Sequence, residues 1–142
     1  MSAARDDYVK ALENLTPATL PALMDRFAET AEFRDPFNHA RGRAAIETVF
    51  THMFAAIDGV SFKVGGQAGQ GEQVFLTWRF SGTNRRLGPI AFEGASAITF
   101  RGDGKVIRHI DYWDTAALTC RIPLFGAILR RLRRGMAAVP PA

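Results

Sequence analysis

Cysteine is nearly missing from this chain: Cys120 stands alone among 142 residues, so an intramolecular disulfide is excluded and a reducing compartment is expected. Long apolar runs are missing too, and nothing approaches the roughly 20 residues that a membrane-spanning helix needs. Met1 to Lys10 carry Arg5, Asp6 and Asp7 and lack the apolar run of a signal peptide. These absences predict a cytoplasmic protein. The three histidines are scattered without ligand spacing, so no metal is expected. The glycines fall at turns and none links a strand to a helix as a phosphate-binding loop requires, so no nucleotide cofactor is expected either. Acidic residues are absent from Arg121 to Arg134, which holds five arginines. The net charge of +4 therefore belongs to the tail, and the remaining thirteen basic and fourteen acidic residues nearly cancel. The body of the chain gives no reason to expect nucleic acid.

What is present fits one domain with a single core: 47% of residues are hydrophobic and eleven are Phe, enough to fill a core or line a pocket. The chain is organised around Phe33-Arg34-Asp35-Pro36-Phe37-Asn38-His39-Ala40-Arg41-Gly42. Pro36 pushes Asp35 out of helical geometry, and Asp35 is set between Phe33 and Phe37. Two readings are open. One is a turn-forming Asp-Pro facing water. The other is a carboxylate at the mouth of an apolar pocket, desolvated and able to move protons.

Arg5 to Asn14 reads as a helix, with Tyr8, Val9, Leu12 and Leu15 at helical spacing. Thr16-Pro17 starts a second helix whose apolar face is Leu20, Leu23, Met24 and Phe27. Ala31 to Asp35 reads as a short strand. Gly42 to Asp58 is the clearest helix, with Ile46, Val49, Phe50, Met53, Phe54 and Ile57 on one stripe. His52 lies off that stripe and reads as a solvated histidine outside any site. The period then changes to two. Strands are predicted over Val60–Ala68, Gln73–Gly82, Ile90–Phe100 and Lys105–Asp114, with Val74, Leu76, Trp78 and Phe80 on one face of the second and Phe75, Thr77, Arg79 and Ser81 on the other. Gly102-Asp103-Gly104 makes the last hairpin.

On the final strand, alternation puts Ile107, His109, Asp111 and Trp113 on one face. An imidazole beside a carboxylate is either a proton-handling pair or a structural hydrogen bond in a core. Three helices followed by a meander of long strands imply an α+β fold: a cone-shaped, curved antiparallel sheet with the helices on its concave face. Asp35 and Asp111 could both point into the cavity so formed. The tail, Ile122 to Gly135, adds a basic amphipathic helix that either covers the cavity mouth or a neighbouring subunit, or lies on an anionic membrane surface through residues 122–135 or holds an acidic partner.

The order of elements, the Asp35-Pro36 motif before Gly42 and the ending His109-Ile110-Asp111-Tyr112-Trp113-Asp114 resemble the nuclear transport factor 2-like superfamily, within it the SnoaL-like and ketosteroid-isomerase-like groups. The resemblance implies a domain over residues 1–117 with an extension over 118–142, and a homodimer. It places Asp35 where ketosteroid isomerases keep their base and Tyr8 where they keep a tyrosine that donates to the enolate oxygen. Ser96 stands in place of their second oxyanion donor, an aspartic acid. Asp111 resembles the acid-donating aspartate of epoxide hydrolases of this fold, and the one aspartate that SnoaL-like cyclases require. Arg79 resembles an arginine that bridges two aspartates. Neither the isomerase nor the epoxide-hydrolase set is complete.

Two functions follow from these readings. In the first, a cofactor-independent acid–base enzyme isomerises, cyclises or hydrates a small apolar carbonyl or epoxide compound. Asp35, Asp111, His109 and Tyr8 are its catalytic residues, and Ser96, Arg79, Phe50, Phe54, Trp78 and Trp113 bind substrate. In the second, the same cavity is a non-catalytic ligand-binding or dimerisation domain.

Overall fold

A computed structural model describes residues 2–139. Helices α1 (Ser2–Glu13) and α2 (Leu20–Met24) lead into β1 (Phe27–Arg34), a short β2 (His39–Arg41) and α3 (Arg43–Ala56). Strands β3 (Ile57–Gln70), β4 (Gln73–Asn84), β5 (Gly88–Phe100) and β6 (Val106–Trp113) then run consecutively, before α4 (Ala116–Thr119) and α5 (Phe125–Met136). The six strands form one sheet in the order β2-β1-β6-β5-β4-β3.

The long strands follow from the period of two. Along β4, Val74, Leu76, Trp78 and Phe80 are buried while Phe75, Thr77 and Arg79 between them are exposed. Register shifts in β3, where Asp58 to Ser61 and Val64 to Gly66 slip against β4, bend the sheet around its buried side. Helix α3 presents Ile46 and Phe50 to the core, packs on β1, β2 and β3, and also meets α2. Helix α1 supplies Tyr8, Val9 and Leu12 and packs on β3 and α2.

The structure differs from the sequence reading in several places. The sheet is not wholly antiparallel, because β1 pairs with β6 in parallel, setting Phe33 beside His109. β1 starts at Phe27, whose side chain is wholly buried, rather than at Ala31. His39–Arg41, for which no strand is predicted, folds back on β1 with Phe33 opposite Ala40. Thr16 caps the turn ahead of α2 rather than α2 itself: its Oγ1 accepts the Thr19 N–H at 3.2 Å, and Thr19, at the N-cap of α2, makes no side-chain cap bond. Helix α3 gives way to strand at Ile57, and Gly59 (φ 63°) sits inside β3 instead of ending the helix.

Candidate active site

The parallel pairing of β1 with β6 and the antiparallel pairing of β5 with β6 fix the site. Ser96 on β5 lies directly opposite Asp111 on β6, and His109 lies between Phe33 of β1 and Ile98 of β5. Five side chains then form one continuous hydrogen-bonded line. The indole Nε1–H of Trp78 donates to Ser96 Oγ at 2.8 Å, and the Ser96 hydroxyl donates to Asp111 Oδ1 at 2.5 Å. His109 Nε2 meets the same Oδ1 at 2.7 Å, and Tyr8 Oη meets His109 Nδ1 at 2.7 Å.

The donor inventory gives this line a direction. A carboxylate Asp111 accepts from Ser96 and from Nε2–H of His109, which leaves Nδ1 as the acceptor for the Tyr8 hydroxyl. In that arrangement every proton points toward Asp111. The line is almost dry: Tyr8, Ser96 and His109 are each 1–2% exposed, and the imidazole is ringed by Tyr8, Phe27 and Phe33. Burial first, and the nearby Asp111 carboxylate second, push the Tyr8 phenol well above its ordinary pKa near 10.

Asp111 stands where this buried line meets open space. It lines a cavity of about 140 Å³ between α3 and the sheet, whose other walls include Phe33, Phe50, Met53, Phe62, Trp78 and Trp113. A deeper recess of about 20 Å³ reaches Ser96 and His109 behind it. Both donors to Asp111 converge on Oδ1, and among the described residues no donor meets Oδ2. The result is an apolar aromatic chamber lined by a carboxylate that has one oxygen without a donor among the described residues.

Asp35 opens on the same cavity but is engaged differently. Its Oδ1 accepts from the backbone N–H of Phe37 (2.8 Å) and of Asn38 (2.7 Å), and the Asn38 amide bonds both carboxylate oxygens at 3.1 Å. The turn-forming reading describes these bonds, and the loop that Asp35 ties also forms part of the cavity wall.

Other expected site residues are placed elsewhere. The Tyr8 hydroxyl is turned to His109 and does not line the cavity, so it positions the imidazole rather than facing a ligand. The Ser96 hydroxyl likewise donates inward, to Asp111. Arg79 is on the outer face of the sheet, opposite Glu93 and Lys63, because alternation along β4 turns it away from Trp78. Phe54 packs against the core without reaching the cavity, whereas Phe50, Trp78 and Trp113 are walls. His52, read as solvated and outside any site, lines the cavity from the flank of α3 while remaining exposed. A broader view of the helix would have found it: His52 is three residues from Val49 and adjacent to Met53, both of which line the chamber. Among the described residues no group of three or more His, Cys, Asp and Glu side chains could hold a metal.

Comparison with known proteins agrees with this architecture. The family described as the SnoaL-like domain matches residues 7–109, and the chain belongs to that family. Its fold is that of the nuclear transport factor 2-like proteins. A Catenulispora acidiphila protein with a ketosteroid isomerase-like fold, solved with trimethylamine, superposes with a TM-score of 0.71 at 18% identity, covering 83% of this chain and 90% of that one. A nuclear transport factor 2-like protein from Burkholderia thailandensis gives 0.71 at 24% identity over 82% and 92% of the two chains. TerC, co-crystallised with polyporic acid, gives 0.70 at 19% identity over 81% and 92%. No curated protein matches the sequence.

Proposed function

We propose that this protein is a cofactor-independent acid–base enzyme that moves a proton on a small, largely apolar carbonyl compound, with Asp111 as the catalytic base. The observation that carries this reading is the arrangement of one carboxylate: Oδ1 is held by Ser96 and His109, Oδ2 meets no donor among the described residues, and Asp111 lines an aromatic chamber. Asp111 Oδ2 takes a proton from carbon next to the carbonyl and returns it to another carbon of the same molecule, so the reaction needs no other reagent. His109, held by Tyr8, keeps the carboxylate oriented through both steps.

The base is thereby assigned to Asp111 rather than Asp35, whose oxygens are already met by the Phe37 and Asn38 donors. The cavity-lining donors still unengaged among the described residues are the rings of His52 and Trp113, which would meet the developing oxyanion in place of Tyr8 and Ser96. Solved relatives carrying small molecules, trimethylamine in one and polyporic acid in another, support a small-molecule pocket.

The test is solvent exchange. Enolisable ketones of graded size, incubated with the protein in D2O, should take up deuterium at the α-carbon, read by NMR. Asp111→Asn should slow exchange by about 10²- to 10⁴-fold, the usual contribution of one positioned base, with Asp35→Asn affected less. Binding without exchange for every ketone would favour the second reading, a ligand-binding domain. That reading draws on the inward direction of the Tyr8, Ser96 and Trp78 donors.

A further inference from the structure

Helix α5 is mounted the wrong way round for a protein in water. Gly126, Arg130 and Arg133 share one flank, and that flank faces the body. Gly126 is buried against the backbone of Cys120, Arg130 bonds the Cys120 carbonyl, and Arg133 bonds Asp114 Oδ2 at 3.2 Å. The opposite flank is apolar. Phe125, Ile128, Leu132 and Met136 recur at helical spacing and are 51–88% exposed, continued by Leu124 at 86%. Leu124 is held out by a γ-turn, at φ 64° and ψ −58°, which the Phe125 N–H closes onto the Pro123 carbonyl at 2.7 Å.

An exposed stripe of this kind calls for a cover, and charge decides which. Arg131 and Arg134 lie on the helix beyond the body-facing flank, and among the described residues neither has an ion-pair partner. No acidic residue follows Asp114, so a second copy meeting this helix face to face would set arginine against arginine. A surface that is apolar within and anionic at its rim satisfies both halves of the helix at once. We infer that α5 is an interfacial helix that docks this protein on an anionic lipid bilayer, with Leu124, Phe125, Ile128, Leu132 and Met136 entering the acyl boundary and Arg131 and Arg134 meeting lipid phosphates. The inference is independent of what the cavity does.

The full chain should co-sediment with vesicles of phosphatidylglycerol and phosphatidylcholine. Affinity for phosphatidylcholine alone should be at least about tenfold lower, on the scale expected for two arginines at an anionic surface. Ile128→Asp with Leu132→Asp should abolish binding. Both sites are already exposed, so circular dichroism should show the fold unchanged. Arg131→Gln with Arg134→Gln should remove the preference for anionic vesicles, and raised salt should do the same to the wild type. Equal sedimentation of wild type and the double aspartate variant would overturn the proposal. So would a failure to bind vesicles joined to a particle mass that falls by half in that variant, which would give the stripe to a second copy.

Discussion

Tyr8 sets the sharpest constraint at the scale of single residues. Its phenol is wholly enclosed and its one hydrogen bond goes to His109, so Tyr8→Phe leaves an imidazole nitrogen without its donor in a dry site. The expected loss is about 1–3 kcal/mol, seen as a lower urea midpoint at neutral pH. The pH dependence has a definite sign. An unfolded tyrosine releases its proton near pH 10, whereas native Tyr8 retains it well above that. The stabilising contribution is therefore complete below pH 10 and declines as pH rises further, by up to about 1.4 kcal/mol per pH unit. Urea melts between pH 8 and 11 should show the wild-type advantage over Tyr8→Phe shrinking only at the alkaline end. A constant difference would mean that the phenol is not retained in its neutral form. Spacing alone could bring Tyr8, His109 and Asp111 under suspicion, but not join them: their contact crosses 101 residues of sequence and depends on how α1 seats against the sheet. Arg79 shows the reverse case. Alternation along β4 already set it opposite Trp78, and the family resemblance assigned it a pocket role that its strand cannot deliver.

At the scale of elements, β4 and β5 meet through an unusual pair. Trp78 lies across from Gly94, and a Cβ added there would fall 2.4 Å from the indole ring. The ring has no easy retreat, because its Nε1–H is bonded to Ser96 and it meets Phe62 and Phe92 in T-shaped contacts. Gly94→Ala should destabilise the protein by about 1–3 kcal/mol, the usual penalty for overfilling a packed core. It should also shift the Trp78 fluorescence as the indole leaves Ser96. An unchanged emission spectrum with full stability would mean that the strands separate to make room. The long elements were legible for a simple reason: α3 and β4 each repeat one period over three or more turns or pleats, so local pattern and burial agree. The short ones were not. β2 has three residues, too few for a period, and exists because Ala40 can pair with Phe33 across the Asp35 turn. The four-residue α4 was missed for the same reason, although its Leu118 supplies part of the cavity wall.

For the whole molecule, the question is how firmly the tail belongs to the body. The connected hydrophobic core runs from Tyr8 to Val106, and α5 contributes only Gly126 to the buried set. Besides the Arg130 and Arg133 bonds, close approach holds the helix: a Cβ on Gly126 would lie 2.2 Å from the Cys120 carbonyl oxygen, a contact that no side chain can relieve because both partners are backbone. Arg121 secures the preceding segment through the Leu87 and Pro89 carbonyls at the β4–β5 loop, so displacement should begin after it. Gly126→Ala should therefore release α5 while leaving α4 and the cavity in place. Limited proteolysis should cut newly between Ile122 and Phe125. The main thermal transition should move by less than about 4 °C, the scale of 1 kcal/mol or less in a chain of this size. The same variant separates docking onto the body from docking onto lipid, since the apolar stripe of Ile128, Leu132 and Met136 is untouched by the change. Undiminished binding to anionic vesicles with a freed helix would mean that α5 binds lipid by its own amphipathic face. A collapse of the thermal transition would instead make the tail part of what folds the domain, with Cys120, buried beneath α5, as the joint between them.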